Sequence, residues 1–145
     1  MKKVILSVFV AVAVLACAQL GFAQQAGALP KLTSKAYASM KKDEVYVVLF
    51  SAPYCGGCHL AQQTLFPALM KKYASEKNVH FYVLDVEEDV AAADGTFLKD
   101  KWGILYLPTF VVAYNDAVMY FKSGYSDKME AALTKEISTQ VDSLK

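Results

Sequence analysis

The chain has 145 residues, 15 basic against 14 acidic side chains and a formal charge of +1, and its length suits a single domain. None of the basic residues is arginine, so the chain has no bidentate forks for phosphate. Without Lys2 and Lys3 its formal charge is −1, so it also lacks the electrostatic footprint of a nucleic-acid binder, and no nucleic-acid partner is expected.

The first element in chain order is a leader. Lys2 and Lys3 make a positive start, Val4 to Ala18 is apolar apart from Ser7, and small residues follow in "ACAQLGFAQQAG". This is the pattern of a secretory signal peptide, over 1–23, with cleavage after Ala23 preferred and cleavage after Ala18 also meeting the small-residue rule. A competing reading takes "VLAC" as a bacterial lipobox with Cys17 lipidated and the mature chain membrane-tethered. The run is short for a membrane-spanning anchor. Cleavage after Ala23 leaves 122 residues, enough for one core, and takes the formal charge to −1.

Residues 24–33 read as a linker and 34–145 as the folded domain. "KLTSKAYASMKKDE" places Leu32, Ala36, Tyr37 and Met40 at helical spacing, with Thr33 or Ser34 as the cap. Val45 to Ala52 is a continuous, β-branched apolar run, the pattern of a strand buried on both faces. Pro53 ends it and Cys55-Gly56-Gly57-Cys58 follows. A helix begins there with Cys58, Ala61, Leu65, Leu69 and Tyr73 on one face. Pro67 lies inside it and predicts a kink, because proline has no N–H for the carbonyl of Gln63. Val79 to Val86 reads as a second buried strand, and "EEDVAAADGTFLKDKWGI" as a loop and a short helix. Thr109–Tyr114 and Ala117–Phe121 form a hairpin about Asn115-Asp116. A last helix has Asp127 and Glu130 as a capping pair and Met129, Leu133, Ile137, Val141 and Leu144 on its core face. Strand–helix–strand units followed by a hairpin and a helix imply an α/β fold, a mixed central sheet with helices on both faces.

The chemistry lies at Phe50–Gln63. Cys55 and Cys58 have the spacing of a redox-active dithiol, and His59 extends it to Cys-x-x-Cys-His, the attachment pattern of a c-type haem. If Cys17 leaves with the leader, Cys55 and Cys58 are the only cysteines that remain. An oxidising compartment lets them pair, and a bridge closing so small a loop is a poor structural staple, which points to a reactive role. Cys55 stands where a strand ends and a helix begins, and free N–H groups there favour a thiolate. Cys58 lies one turn further, on the core face. The haem reading needs both thioethers and His59 as axial ligand, but small c-type cytochromes are mostly helical and this motif follows a strand. A metal reading takes Cys55, Cys58 and His59 as soft donors for Cu(I) or Zn, with His80 the other histidine in the chain. A further reading is an inert scaffold with a structural disulfide.

The motif, the later "WGILYLPTFVV" and the closing "YNDAVMYFKSGY" plus helix occur in the order found in one family. Over about Ser34 to Leu144 the chain resembles the thioredoxin fold, of the exported bacterial thioredoxin-like kind. The resemblance implies a periplasmic thiol–disulfide oxidoreductase, more a reductase than an oxidase. Cys55 would be the nucleophile and Cys58 the resolving residue, with the dithiol itself as the redox group and no metal or nucleotide cofactor. It implies a cis-proline at Pro108, which with Leu107, Tyr54, Gly56 and Gly57 would shape the substrate groove. Expected partners are protein disulfide or dithiol clients and a membrane-bound thiol electron donor, and the protein is expected to be a monomer. The chain departs from the family in three places. Tyr54 stands where Trp is common, Gly56-Gly57 is neither the usual reductase nor the strong-oxidant pair, and Leu49 occupies the position, six before Cys55, of a buried acid that takes the second cysteine's proton.

Overall fold

The computed structural model describes residues 29–87 and 99–145. The leader and most of the expected loop and short helix lie outside them. Of that helix the described part is 99–101, which is helical.

The elements are α1 (Ser34–Ala38), β1 (Val45–Ser51), α2 (Gly56–Leu60), a π-helical turn (Ala61–Leu65), α3 (Phe66–Lys72), β2 (Val79–Asp85), β3 (Thr109–Tyr114), β4 (Ala117–Ser123) and α4 (Met129–Asp142). The sheet order is β2-β1-β3-β4. β1 runs parallel to β2 and antiparallel to β3, and β3 pairs antiparallel with β4. The sheet is therefore mixed, with β1 central.

β1 shows why an unbroken apolar run was needed. Its alternate residues feed two separate cores, one on each face of the sheet. Val45, Val47 and Leu49 pack with Ala61, Leu65, Phe66, Leu69 and the α4 residues Met129, Leu133, Ile137 and Val141. Tyr46, Val48 and Phe50 pack on the other face with Leu32, Leu84, Ile104 and Val111, flanked by Ala36, Tyr37, Met40 and Trp102. Each fully buried Leu, Val or Phe adds about 1.5–3 kcal/mol relative to leaving it exposed.

Four local expectations are revised. The first helix is short and capped by the Thr33 side chain on the Ala36 N–H, as expected, but Leu32 is not part of it. Leu32 precedes that cap, in an extended stretch that pairs with β2 through Leu32 N–H to Val83 O and Val83 N–H to Pro30 O, both 2.8 Å. The end of the segment read as linker is thus docked, with Leu32 1% exposed. Pro67 produces no simple kink. A π turn precedes it, in which the Phe66 N–H reaches Ala61 O, and Pro67 falls in the first turn of α3, where a missing N–H costs little. This wider turn brings both Leu65 and Phe66 into the core. The capping pair Asp127 and Glu130 is not formed. α4 starts after Lys128 with no side-chain cap, its Met129 N–H bonded to the Ser126 carbonyl at 2.9 Å. The hairpin strand β4 runs on to Ser123, two residues beyond the expected Phe121.

Candidate active site

Cys55 caps α2. Its backbone is extended, and its sulfur accepts the Cys58 N–H at 3.1 Å. Cys55 and Cys58 form a disulfide with Cα atoms 5.2 Å apart. The two are not equivalent: Cys55 is half-buried at the surface, whereas Cys58 is 0% exposed. The helix start thus presents one sulfur and shields the other.

The loop before β3 closes over the pair. The Leu107–Pro108 peptide is cis. Thr109, fully buried, ties that loop down: its Oγ1 donates to the Tyr106 carbonyl at 2.6 Å and lies 2.7 Å from the Ser123 hydroxyl. The Gly124 N–H reaches the Pro108 carbonyl at 2.8 Å, which holds β4's end to the same loop. Gly57 lies beneath it. A Cβ there would sit 3.2 Å from Pro108 Cδ and 3.4 Å from Tyr125 Cβ, while one on Gly56 meets nothing within 4 Å. The need for glycine at position 57 is therefore internal to the fold, and Gly56 has no such constraint.

Beside the disulfide lies a groove of about 470 Å³, lined by Tyr54, Cys55, Gly56, Gly57, Leu107 and Pro108 together with Val86, Lys99, Ile104, Leu105 and Tyr106. All seven residues expected at the site are brought together here or, for Cys58, directly behind it. Tyr54, Leu105 and Tyr106 are 72%, 80% and 70% exposed and form an apolar rim. Leu105, Tyr106, Tyr125 and Lys99 were not foreseen. The first two lie three and two residues before the motif proline, and only the bend of that loop shows that they line the groove beside the disulfide.

β1, the strand that leads to the motif, carries no acid, and β2 carries one at its end, Asp85, opposite Ser51 in register. Leu49 is fully buried in the first core and pairs in register with Val83, also apolar. The buried polar group nearest in sequence is Ser51, whose hydroxyl accepts from Gln62 Nε2 at 2.7 Å and ties the end of β1 to the helical segment.

The donors of the metal reading are not assembled. His80 pairs in register with Tyr46 near the start of β1, five residues from the Ser51 end that leads to the motif, a separation of roughly 16 Å along the strand. It stacks on Tyr46 with ring centroids 5.2 Å apart and approaches Glu44 Oε2 at 3.2 Å without hydrogen-bond alignment. That far end also holds two groups displaced from their ordinary ranges. Burial, then the hydrogen bond to Glu44, pushes the Tyr46 hydroxyl up, and the same bond holds the Glu44 carboxyl below its usual range. They are a structural cluster away from the disulfide. His59 does not stand free as a haem ligand, since its Nε2 is 2.8 Å from the Pro53 carbonyl.

None of the curated proteins compared with the chain matches it. Among solved structures, it is similar to mitochondrial thioredoxin 3 of Saccharomyces cerevisiae in its oxidised form, with TM-score 0.60 and 24% identity over 77% of this chain and 94% of that one. It is also similar to Chlamydomonas reinhardtii thioredoxin f2, with TM-score 0.55 and 23% identity over 74% and 94% of the two chains. Both show the fold. The sequence model of the Thioredoxin family matches residues 29–139, most of the chain and the whole of the site just described. With the Cys55–Cys58 disulfide at the start of its second helix, the chain belongs to the thioredoxin family of thiol–disulfide oxidoreductases.

Proposed function

We propose that the protein is exported to the periplasm and there reduces protein disulfides, with Cys55 attacking and Cys58 resolving. The observation that carries the assignment of roles is the asymmetry of the pair, Cys55 on a groove and Cys58 fully buried. In the reduced protein the Cys55 thiolate attacks one sulfur of a client disulfide, and the other client sulfur leaves as a thiolate and takes a proton. Cys58 then loses its proton and attacks the Cys55 sulfur. The second client thiol is released, and the Cys55–Cys58 disulfide remains. The client is thereby reduced by two electrons and the protein oxidised by two. Tyr54, Leu105, Tyr106 and Leu107 line the surface that an extended client segment meets.

Reduction is favoured over oxidation by the motif itself. Gly56 and Gly57 place no cation between the cysteines, so little beyond the helix start stabilises the thiolate, and the residue before Pro108 is the aliphatic Leu107. A reductant in an oxidising compartment must be recharged, which calls for a membrane-bound thiol donor. Export rests on the Lys2-Lys3 start and the apolar run after it. The mature protein is a soluble monomer cut after Ala23.

The deciding measurement is the equilibrium of the dithiol with glutathione. A potential near about −270 mV supports reduction, and one near about −120 mV overturns it in favour of an oxidase. A Cys58→Ser variant is expected to hold clients as mixed disulfides at Cys55. Intact mass of the exported form tests the location. A chain starting at Cys17 with a diacylglycerol increment would replace the soluble form with a lipoprotein.

A further inference from the structure

His59 belongs to the motif, yet thiol–disulfide exchange uses only the two cysteines. Its ring is nonetheless committed. Nε2 lies 2.8 Å from the Pro53 carbonyl oxygen, and a carbonyl only accepts, so Nε2 carries the proton. The side chain reaches back six residues, from the first turn of α2 to the loop that leaves β1. Helical side chains tilt toward the N-terminus, and His59 follows Cys55 by four, so it stands over the cysteine on the same face of the helix.

The loop from Pro53 to Cys55 is also held at the Cys55 carbonyl, which accepts the Cys58 and His59 N–H groups at 3.0 and 3.1 Å. The Cys55 N–H reaches Ala52 O at 3.1 Å, and the Cys55 sulfur accepts the Cys58 N–H. In the disulfide state the sulfur is also tied covalently to Cys58. Once the disulfide opens, the non-covalent contacts alone keep it on the N–H groups of α2.

We propose that His59 is a positioning residue for Cys55: its Nε2–H holds the Pro53 carbonyl and so keeps the freed sulfur seated at the start of α2. The proposal rests on Cys55 being the attacking cysteine. From Pro53 to Phe66 the sequence holds no aspartate, glutamate or lysine. From other elements, Asp85 (opposite Ser51 in register) and Glu87 lie at the end of β2, and Lys99 lies on the groove. Among the described residues the Pro53 carbonyl is the ring's hydrogen-bond partner. Losing the clasp raises the energy of the reduced thiolate state, while the disulfide state keeps its covalent tie. The equilibrium of protein disulfide plus two glutathione thiols with protein dithiol plus glutathione disulfide then shifts toward the protein disulfide.

The test compares wild type, His59→Leu and His59→Gln. Glutamine puts its amide nitrogen as many bonds from Cα as the imidazole Nε2, so it restores the donor without the titrating ring. In the reduced proteins, iodoacetamide alkylation of Cys55 is followed from pH 4 to 9, together with the glutathione equilibrium. His59→Leu is expected to lower the thiolate fraction below the midpoint, and the equilibrium constant for reduction, by about two- to fivefold, the range of an exposed hydrogen bond. His59→Gln is expected to recover most of both losses, with urea midpoints of the oxidised forms unchanged. Nitrogen NMR of the neutral wild-type ring is expected to show the proton on Nε2. A proton on Nδ1, a Leu variant equal to wild type, or a Gln variant as impaired as Leu each overturns the clasp. If wild-type Cys55 is alkylated no faster than Cys58, the assignment of roles fails instead, and the NMR result still decides the hydrogen bond.

Discussion

Gly56 and Gly57 are adjacent and of one type, but the fold asks different things of them. A methyl group at position 57 would press on the buried Pro108 ring at 3.2 Å, which must give by a few tenths of an ångström, whereas position 56 is open. Gly57→Ala is therefore expected to cost about 1–3 kcal/mol of stability by overpacking and to slow insulin reduction. Gly56→Ala should raise stability by about 0.4–1 kcal/mol through the lost freedom of the unfolded chain. Urea midpoints decide, and equal shifts at the two positions would contradict the packing argument. With Leu49 opposite Val83, position 49 supplies no carboxylate to take the Cys58 proton. A thiol freed at Cys58 sits among apolar side chains, where the charged form is disfavoured. Resolution by Cys58, rather than attack by Cys55, should then limit turnover at neutral pH, and its rate should climb as pH rises toward that thiol's own pKa. Leu49→Asp should speed this step near pH 7 while lowering stability, since an unpaired buried carboxylate is costly. Stopped-flow decay of a preformed mixed disulfide at Cys55 measures it. A decay that is flat between about pH 6 and 9, and unchanged in Leu49→Asp, would show that no internal base is missing.

Asn115 and Asp116 both adopt left-handed backbone conformations, with φ 52° and 63°, in the two-residue turn between β3 and β4. That is the geometry of a type I′ turn, whose right-handed twist suits the hairpin and which prefers Asn-Gly. Asp116→Gly should stabilise the protein by about 0.5–1 kcal/mol, since glycine removes the Cβ strain of that region. A chemical denaturation curve with a lower midpoint for the variant would mean that the Asp116 side chain contributes more than the strain it brings. This turn was legible because two polar residues divide two apolar runs. β1 and β3 were legible because a doubly buried strand leaves an unbroken apolar record. The π turn was not, because one extra residue per turn keeps Leu65 on the apolar face and merely adds Phe66 beside it. Leu32 misled for a related reason: a buried residue just before a helix matches the helical spacing while belonging to an extended segment paired with β2. At the site, the cysteines and Pro108 were legible from their order along the chain. Tyr125 beside Gly57 and the Leu105-Tyr106 rim were not, because aromatic and aliphatic side chains outside the core pattern acquire a role only when the loops bring them beside the motif.

At the scale of the whole molecule, redox direction and folding stability are one quantity. Folded and unfolded, oxidised and reduced forms make a closed cycle, so the stability difference between oxidised and reduced protein equals the preference of the fold for the disulfide over the free dithiol. A strong oxidant inverts that difference because its reduced form, with a heavily stabilised thiolate, is the more stable one. Few such stabilisers are present in this chain. α2, the π turn and α3 run on as one helical stretch from Gly56 to Lys72, whose start supports the thiolate, but no lysine or arginine lies between Pro53 and Phe66 to add to it, and Cys58 is fully buried. The Cys58 N–H and the His59 clasp act on the Cys55 sulfur, but each is worth only about 0.5–1.5 kcal/mol. The disulfide, by contrast, restrains the unfolded chain and ties the helix start to Cys55. The oxidised protein is therefore expected to be more stable than the reduced one, by about 1–3 kcal/mol. Urea unfolding with and without dithiothreitol, followed by circular dichroism, measures the difference without any client or donor. A higher midpoint for the oxidised form agrees with reduction of client disulfides. A higher midpoint for the reduced form would mean that the fold favours the dithiol, and the protein would then donate its disulfide to clients rather than break theirs.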